Sequence, residues 1–438
     1  DSRLIIKSFI SFFETTRHSI SQRIDAMQEK YGRVFFKTPN QTNLIEMQSI
    51  NSIRFSNLDH KWYDSNGKIH PEFENYKGKE FSLYFKIYQN DKNGVLVPFE
   101  GNMQLPYRLG EVGPQDLDGI AVAEREDQKL VRTFNLIDED VTVDKIERDM
   151  QQAGILAACF PNQKLEDSKI QRLYNLAGFA FDDEIEKMHP KLQFGELNYF
   201  AKLAGEILKG KSVNLDKFIS GRVKLPNIFI KYLELMQCFQ EELSSAEEKH
   251  KTNGNYVRDT YRIWIEGICL ENCIEWNNQK LRVFHDAKKE LRSWVAAALV
   301  SLEFAMFDAK ISPNPEIRKT FLFQWFTKVY AKQTCLINDL VSFRKEMESM
   351  QGVGCNKVYL LHINKDLHLK DAMQKVLDKA NDLVTQLVDT GNLLCQLHRD
   401  DEHVRYVEKT KYIVYGHIQW LTFSDRYHKG LVFDCVMK

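Results

Sequence analysis

The sequence is poor in the residues that break a chain or staple it. Ten prolines and 21 glycines in 438 residues are few, which excludes a collagen-like chain and argues against a loop-dominated or disordered one. An excess of either charge is also missing, with 60 Lys and Arg against 61 Asp and Glu. That balance points neither to nucleic acid as a partner nor to an acidic tail. No run of eighteen or more apolar residues occurs, so no transmembrane segment is expected. The opening DSRLIIKSFISFF carries a short apolar stretch interrupted by charge, lacks a small-residue cleavage site and does not read as a signal peptide. A paired CxxC framework is absent from the eight cysteines. Cys269 and Cys273 are spaced CxxxC with no second half, so a zinc site is not indicated. The thiols are read as free, and the protein as cytoplasmic in a reducing compartment.

What is there is apolar and aromatic. Hydrophobic residues make up 43 % of the chain and aromatics 12 %, enough for a large core and for a pocket walled with π-faces. The first hundred residues differ in texture from the rest. After a possible helix near 3–30, β-rich runs such as Phe81 to Tyr88 are separated by Asn-Gly pairs at 66–67 and 93–94. These predict short strands, with a hairpin across Asn93-Gly94. From about residue 140, apolar residues recur at three- and four-residue spacing. Breaks fall at Phe160-Pro161-Asn162 and at Ser312-Pro313-Asn314-Pro315. The expected architecture is an all-α helical bundle over 103–438, preceded by an N-terminal extension over 1–102 that holds the strands.

Two segments carry chemistry. In LYNLAGFAFDDEIEK, an apolar helical run passes into Asp182, Asp183, Glu184 and Glu186. On a helix Asp182 and Glu186 share a face, with Asp183 beside them. Crowded carboxylates repel unless a cation neutralises them, and Mg²⁺ suits oxygen ligands while keeping room for water and phosphate. Taken alone, this cluster reads more readily as a solvated helix end, and DDxxE by itself is a weak signal. In NDLVSFRKE, Asn338, Ser342 and Glu346 fall at i, i+4 and i+8 and share one stripe. The longer Glu346 leans back toward the two shorter side chains. Lys345 is adjacent and suited to an anion.

Together the two segments resemble the aspartate-rich and Asn/Ser/Glu motifs of microbial-type class I terpene synthases. Among these, the marine-invertebrate (octocoral-like) cyclases are the most similar kind. Order and wide separation match, and the likeness covers roughly 103–438. Arg292, in KKELRSW, stands where the family has its diphosphate-sensing arginine. Arg426-Tyr427, in SDRYHKG, stands where it has an Arg-Tyr pair. Trp420 and Phe179 match active-site aromatics, and GILAACFPN at 154–162 matches an early helix and its break. Arg405-Tyr406 spells the same dipeptide too close to Asn338 and is read as helix surface. One departure stands out. Three residues after the sensor, where many relatives carry an acid, this chain has Val295 followed by three alanines.

The resemblance implies a lyase that ionises geranylgeranyl or farnesyl diphosphate and cyclises the carbocation, with diterpene formation favoured by analogy. It implies three Mg²⁺ ions, held by Asp182, Asp183 and Glu186 on one side and Asn338, Ser342 and Glu346 on the other. Arg292, Lys345 and Arg426 would bind the diphosphate, and Tyr427 would add a hydroxyl donor. Phe179, Phe181 and Trp420 would face the carbocation, with core packing a competing role for Phe181 and Trp420. Phe323 and Trp325 are read as core. No general base stands out, so released diphosphate or a late water would serve. A homodimer is implied by relatives. Two readings compete. A chain-elongating prenyltransferase would carry two aspartate-rich motifs, whereas the second site here is Asn/Ser/Glu. A non-catalytic helical interaction protein would show no Mg²⁺-dependent affinity for diphosphate. A DxDD motif for protonation-initiated cyclisation is absent.

Overall fold

The computed structural model describes residues 68, 71–76, 80–108, 194–215, 225–273, 292–349, 356–363, 365–423 and 431–437, together with part of 170–185. The possible helix at 3–30, the Asn66-Gly67 turn and the break at 160–162 lie outside them.

The hairpin forms at the predicted place. Strand β1 (Glu80–Asn90) and strand β2 (Leu96–Arg108) pair antiparallel through a turn at 91–95. Asp91 Oδ1 accepts from the amides of Asn93 and Val95, each at 2.8 Å. Gly94 takes the positive φ (75°) that the turn requires. Alternate side chains Leu83, Phe85, Ile87, Val97, Phe99, Met103, Leu105 and Tyr107 point into the main core.

The helices follow in order. They are α1 (Phe194–Leu208), α2 (Asn227–His250), α3 (Asn255–Cys273), α4 (Ala298–Asp308), α5 (Pro315–Arg318) and α6 (Phe321–Ser349). Then come α7 (Lys357–His362), α8 (Leu369–Leu397) and α9 (Asp401–Phe423). Helix α8 shows why they form. Its buried positions 369, 372, 373, 376, 377, 380, 383, 384, 387, 391 and 394 step by three and four, so one face is continuously apolar. The break at 312–315 is real: Asn314 caps α5 by accepting from the Glu316 amide, with Pro315 in the first turn.

A strand that the sequence did not announce closes the sheet. Strand β3 (Leu431–Met437) pairs antiparallel with β1, giving the order β2-β1-β3. The outer edge of β2 is covered by one side chain of α8. Asn381 Oδ1 accepts from the Gln104 amide at 2.8 Å, and its Nδ2 donates to the Asn102 carbonyl at 2.9 Å. This amide mimics a neighbouring strand and blunts the edge. The sheet therefore packs as part of the bundle, in one hydrophobic cluster with α4, α6, α8 and α9. Strand β2 runs through the 102/103 boundary drawn from the sequence.

A second cluster joins α1, α2 and α3 to Tyr174, Phe181 and Ile185. Helix α4 belongs to both. Ala298, Leu302, Ala305 and Met306 enter the first cluster, and Val300, Phe304 and Phe307 the second. A helix apolar on every side must be central. Its one buried acid, Glu303, pairs with Arg318 and accepts from the Tyr406 hydroxyl at 3.2 Å. Tyr406 is thus core, a correction to the reading of Arg405-Tyr406 as helix surface; only Arg405 is exposed, pairing with Glu402. Phe323 is core as expected. Trp325 is not, being 38 % exposed and stacked on the exposed Phe321 because it lies on the outward face of the first turns of α6. Among the described residues, no helix is long and apolar enough to cross a membrane, and Cys238, Cys269, Cys335 and Cys395 are free thiols.

Candidate metal and diphosphate site

Helix α6 carries the second motif on one stripe, with Asn338 half-buried, Ser342 buried and Glu346 half-buried. The Ser342 hydroxyl donates to Glu346 Oε1 at 2.7 Å, so the i, i+4 spacing brings these two oxygens together. Lys345 is half-buried one residue before Glu346.

Arg292 reaches this stripe from the turn of helix that precedes α4. Its Nη2 donates to Asn338 Oδ1 at 3.2 Å and lies 3.8 Å from Glu346 Oε1. Asn338 and Glu346 oxygens thus converge on one cationic nitrogen. A donor set of amide, hydroxyl and carboxylate oxygens gathered around one positive centre fits a hard divalent cation. Among the described residues, no group of three or more His, Cys, Asp and Glu side chains is placed to hold a metal.

Two residues that sequence reasoning missed hold the site in shape. Asp339 is 1 % exposed, accepts from Arg292 Nε at 3.0 Å and Nη2 at 2.7 Å on Oδ1, and accepts from the Lys357 amide at 2.9 Å on Oδ2. Burial pushes its carboxyl up to about 6, with the Arg292 charge opposing that rise. For the Arg292 guanidinium, burial acts to lower the pKa, but Asp339 and Glu346 hold it above its ordinary value, so the cation is retained. Asn356 is the other. Its Oδ1 caps α7 by accepting from Val358 and Tyr359, while its Nδ2 donates to Glu346 Oε2 at 2.9 Å and to the Asp339 carbonyl at 2.8 Å. One side chain therefore ends a helix, orients the Glu346 carboxylate and ties α7 to α6. The available signal was an Asn immediately before the apolar run KVYLLH, an N-cap pattern. Asn356→Ala is expected to lower stability by about 1 kcal/mol through the lost cap. It should also raise the Mg²⁺ concentration giving half-maximal activity by roughly 10-fold, since a partner that orients a ligand is lost. A Mg²⁺ titration checks this, and an unchanged midpoint would separate Asn356 from the site.

Of the first motif, Asp182 is described: it is half-buried, and its charge adds to burial in raising the hydroxyl pKa of Tyr174 and Tyr232. Asp183, Glu186, Phe179, Arg426 and Tyr427 lie outside the described residues. Phe181 is core, stacked on Tyr232 at 4.0 Å and Phe200 at 5.1 Å. Trp420 is buried on α9 with the main cluster, its ring 6.2 Å from that of His417.

After Arg292 the helix breaks. Ala297 takes a left-handed conformation, φ 58°, and α4 starts at Ala298. At the break the buried Val295 carbonyl accepts from the indole N–H of Trp264 at 2.9 Å.

This bundle, with its interrupted helix beside an Asn/Ser/Glu stripe, is the class I terpene synthase fold. Residues 174–386 match the family described as terpene synthase family 2, C-terminal metal binding, in line with the class that the motifs resemble. A germacrene A synthase of Nostoc punctiforme is 24 % identical over 299 residues, covering 63 % of this chain and 80 % of that protein. Among solved structures, germacradien-4-ol synthase of Streptomyces citricolor superposes with a TM-score of 0.55 at 12 % identity, covering 70 % of this chain and 95 % of its own. Linalool/nerolidol synthase of Streptomyces clavuligerus gives 0.53 at 15 % identity, covering 70 % and 97 %.

Proposed function

We propose that the chain is a Mg²⁺-dependent terpene cyclase that ionises geranylgeranyl or farnesyl diphosphate, releases diphosphate and cyclises the carbocation. The observation that carries this is the convergence of Asn338 and Glu346 oxygens on the Arg292 guanidinium, with Ser342 bonded to Glu346. An allylic diphosphate leaves only when its developing charge is neutralised, and Mg²⁺ ions supply Lewis acidity for that when bound. In this reading three ions are held by Asn338, Ser342 and Glu346 opposite Asp182, Asp183 and Glu186. Arg292, Lys345 and Arg426 bind diphosphate oxygens, the arginines bidentately, and Tyr427 donates a hydroxyl. Phe179 and Trp420 offer π-faces to the cation, and excluding water around them would keep it from being quenched early. Location in the cytoplasm and a homodimeric state belong to the same proposal.

The test is product analysis by gas chromatography–mass spectrometry. Purified protein is given geranyl, farnesyl or geranylgeranyl diphosphate with Mg²⁺ or with EDTA. A cyclic hydrocarbon or alcohol from one substrate, absent with EDTA, is the expected result. Longer linear diphosphates formed only with added isopentenyl diphosphate would make it a prenyltransferase, and no turnover of any substrate would end the enzymatic reading.

A further inference from the structure

Two segments that carry site residues are remote in sequence: the turn of helix at Arg292, and the helical residues between 170 and 185 that include Asp182. One side chain touches both. Trp264, on α3, is buried, and its indole N–H donates to the Val295 carbonyl at 2.9 Å. The far edge of the same ring faces the other segment. A Cβ placed on Gly178 would lie 3.4 Å from Trp264 Cη2, and Tyr174 meets the indole edge-on with centroids 5.8 Å apart.

The geometry at each end favours transmission. The Val295 carbonyl sits at the helix break, two residues before Ala297 with its φ of 58°, a conformation that residues with a side chain seldom adopt. Unusual backbone of this kind persists only where its surroundings hold it, and the indole bond is one such hold. At the other end the ring meets Tyr174 edge-on, and Gly178 leaves beside it a space that a Cβ would fill at ordinary contact. Interiors packed to crystal density pass a shift on rather than dissipating it. Arg292 stands one helical turn before the break and touches Asp339 and Asn338. A movement of the Arg292 turn would act on the Val295 carbonyl, and the indole bonded to that carbonyl packs on Tyr174 of the helical segment near Asp182.

We propose that Trp264 is a positioning residue that couples the Arg292 turn to the segment carrying Asp182. This rests on the cyclase reading above. The bond from Trp264 goes to the backbone of residue 295, so the Val295 side chain is not needed for the coupling.

Trp264→Phe removes the N–H and keeps an aromatic ring. Three quantities are measured on the full chain: affinity for Mg²⁺ with inorganic diphosphate by calorimetry, the rate of diphosphate release from the substrate that the wild type turns over, and the thermal midpoint. The expected pattern is diphosphate affinity within about threefold of wild type with kcat lower by on the order of 10²-fold, the loss that a misplacement near 1 Å brings. Val295→Ala, which keeps the carbonyl, is expected to hold kcat within about threefold. Full kcat in Trp264→Phe overturns the inference, as does affinity lost in proportion to kcat or an equal loss in Val295→Ala. Should Trp264→Phe fail to fold, a kcat loss above tenfold in Val295→Ala still overturns the inference. A wild type that binds Mg²⁺ and diphosphate yet turns over no allylic substrate overturns the cyclase reading, and this inference with it.

Discussion

Replacing Asn338 with alanine is expected to cut kcat/KM for the allylic diphosphate by on the order of 10³-fold, about 4 kcal/mol of transition-state stabilisation. Asn338 Oδ1 already lies 3.2 Å from a cationic nitrogen, so its position is set for a positive charge. On the proposed reading, removing it would delete a ligand from the stripe and leave Ser342 and Glu346 to hold an ion with two oxygens. The protein should remain folded, because Asn338 is half-buried while Ile337 and Leu340 do the packing. Diphosphate release measured beside a thermal melt separates the two quantities. Activity within tenfold of wild type would take α6 out of the metal site.

The second large effect concerns stability. Asp339→Ala is expected to cost about 3 kcal/mol, because the Arg292 guanidinium would keep its charge in a mostly buried place with its partner gone. The side chain of Arg292 is only 16 % exposed. The Lys357 amide would lose its acceptor as well, loosening α7. Asp339→Asn keeps the shape and one acceptor oxygen and should cost roughly half as much. Denaturant midpoints at constant slope would report both values. A loss below about 0.5 kcal/mol in the alanine variant would mean that Arg292 relaxes to solvent unaided.

The contrast between these two neighbours shows what sequence reasoning reaches. Asn338 stands out in the sequence because it repeats at a helical spacing with Ser342 and Glu346, and one-dimensional periodicity is visible in a sequence. Asp339 was passed over because its role depends on Arg292 and on the amide of Lys357, which no local pattern connects to it. The same division runs through the fold. The hairpin declares itself through Asn93-Gly94 and alternating residues on both sides, and α8 through steps of three and four. Strand β3 has no such signal: its partner β1 lies more than three hundred residues away. Trp325 was misplaced because an apolar run marks a helix without saying which turn faces water. Trp264 and Val295 meet only through a side-chain N–H and a carbonyl freed by a helix break.

The sheet also sets the order in which this protein can be completed during synthesis. Strands β1 and β2 leave the ribosome more than three hundred residues ahead of β3, and they can zip together at once. One edge of β1 then stays open until Leu431–Met437 emerges. At roughly 5–20 residues per second that interval lasts on the order of tens of seconds. During it the nascent chain displays an aromatic strand with unpaired amides and carbonyls, the kind of edge that recruits foreign strands. Residues 80–90 therefore form the edge that stands to gain most from a cover until Leu431–Met437 arrives.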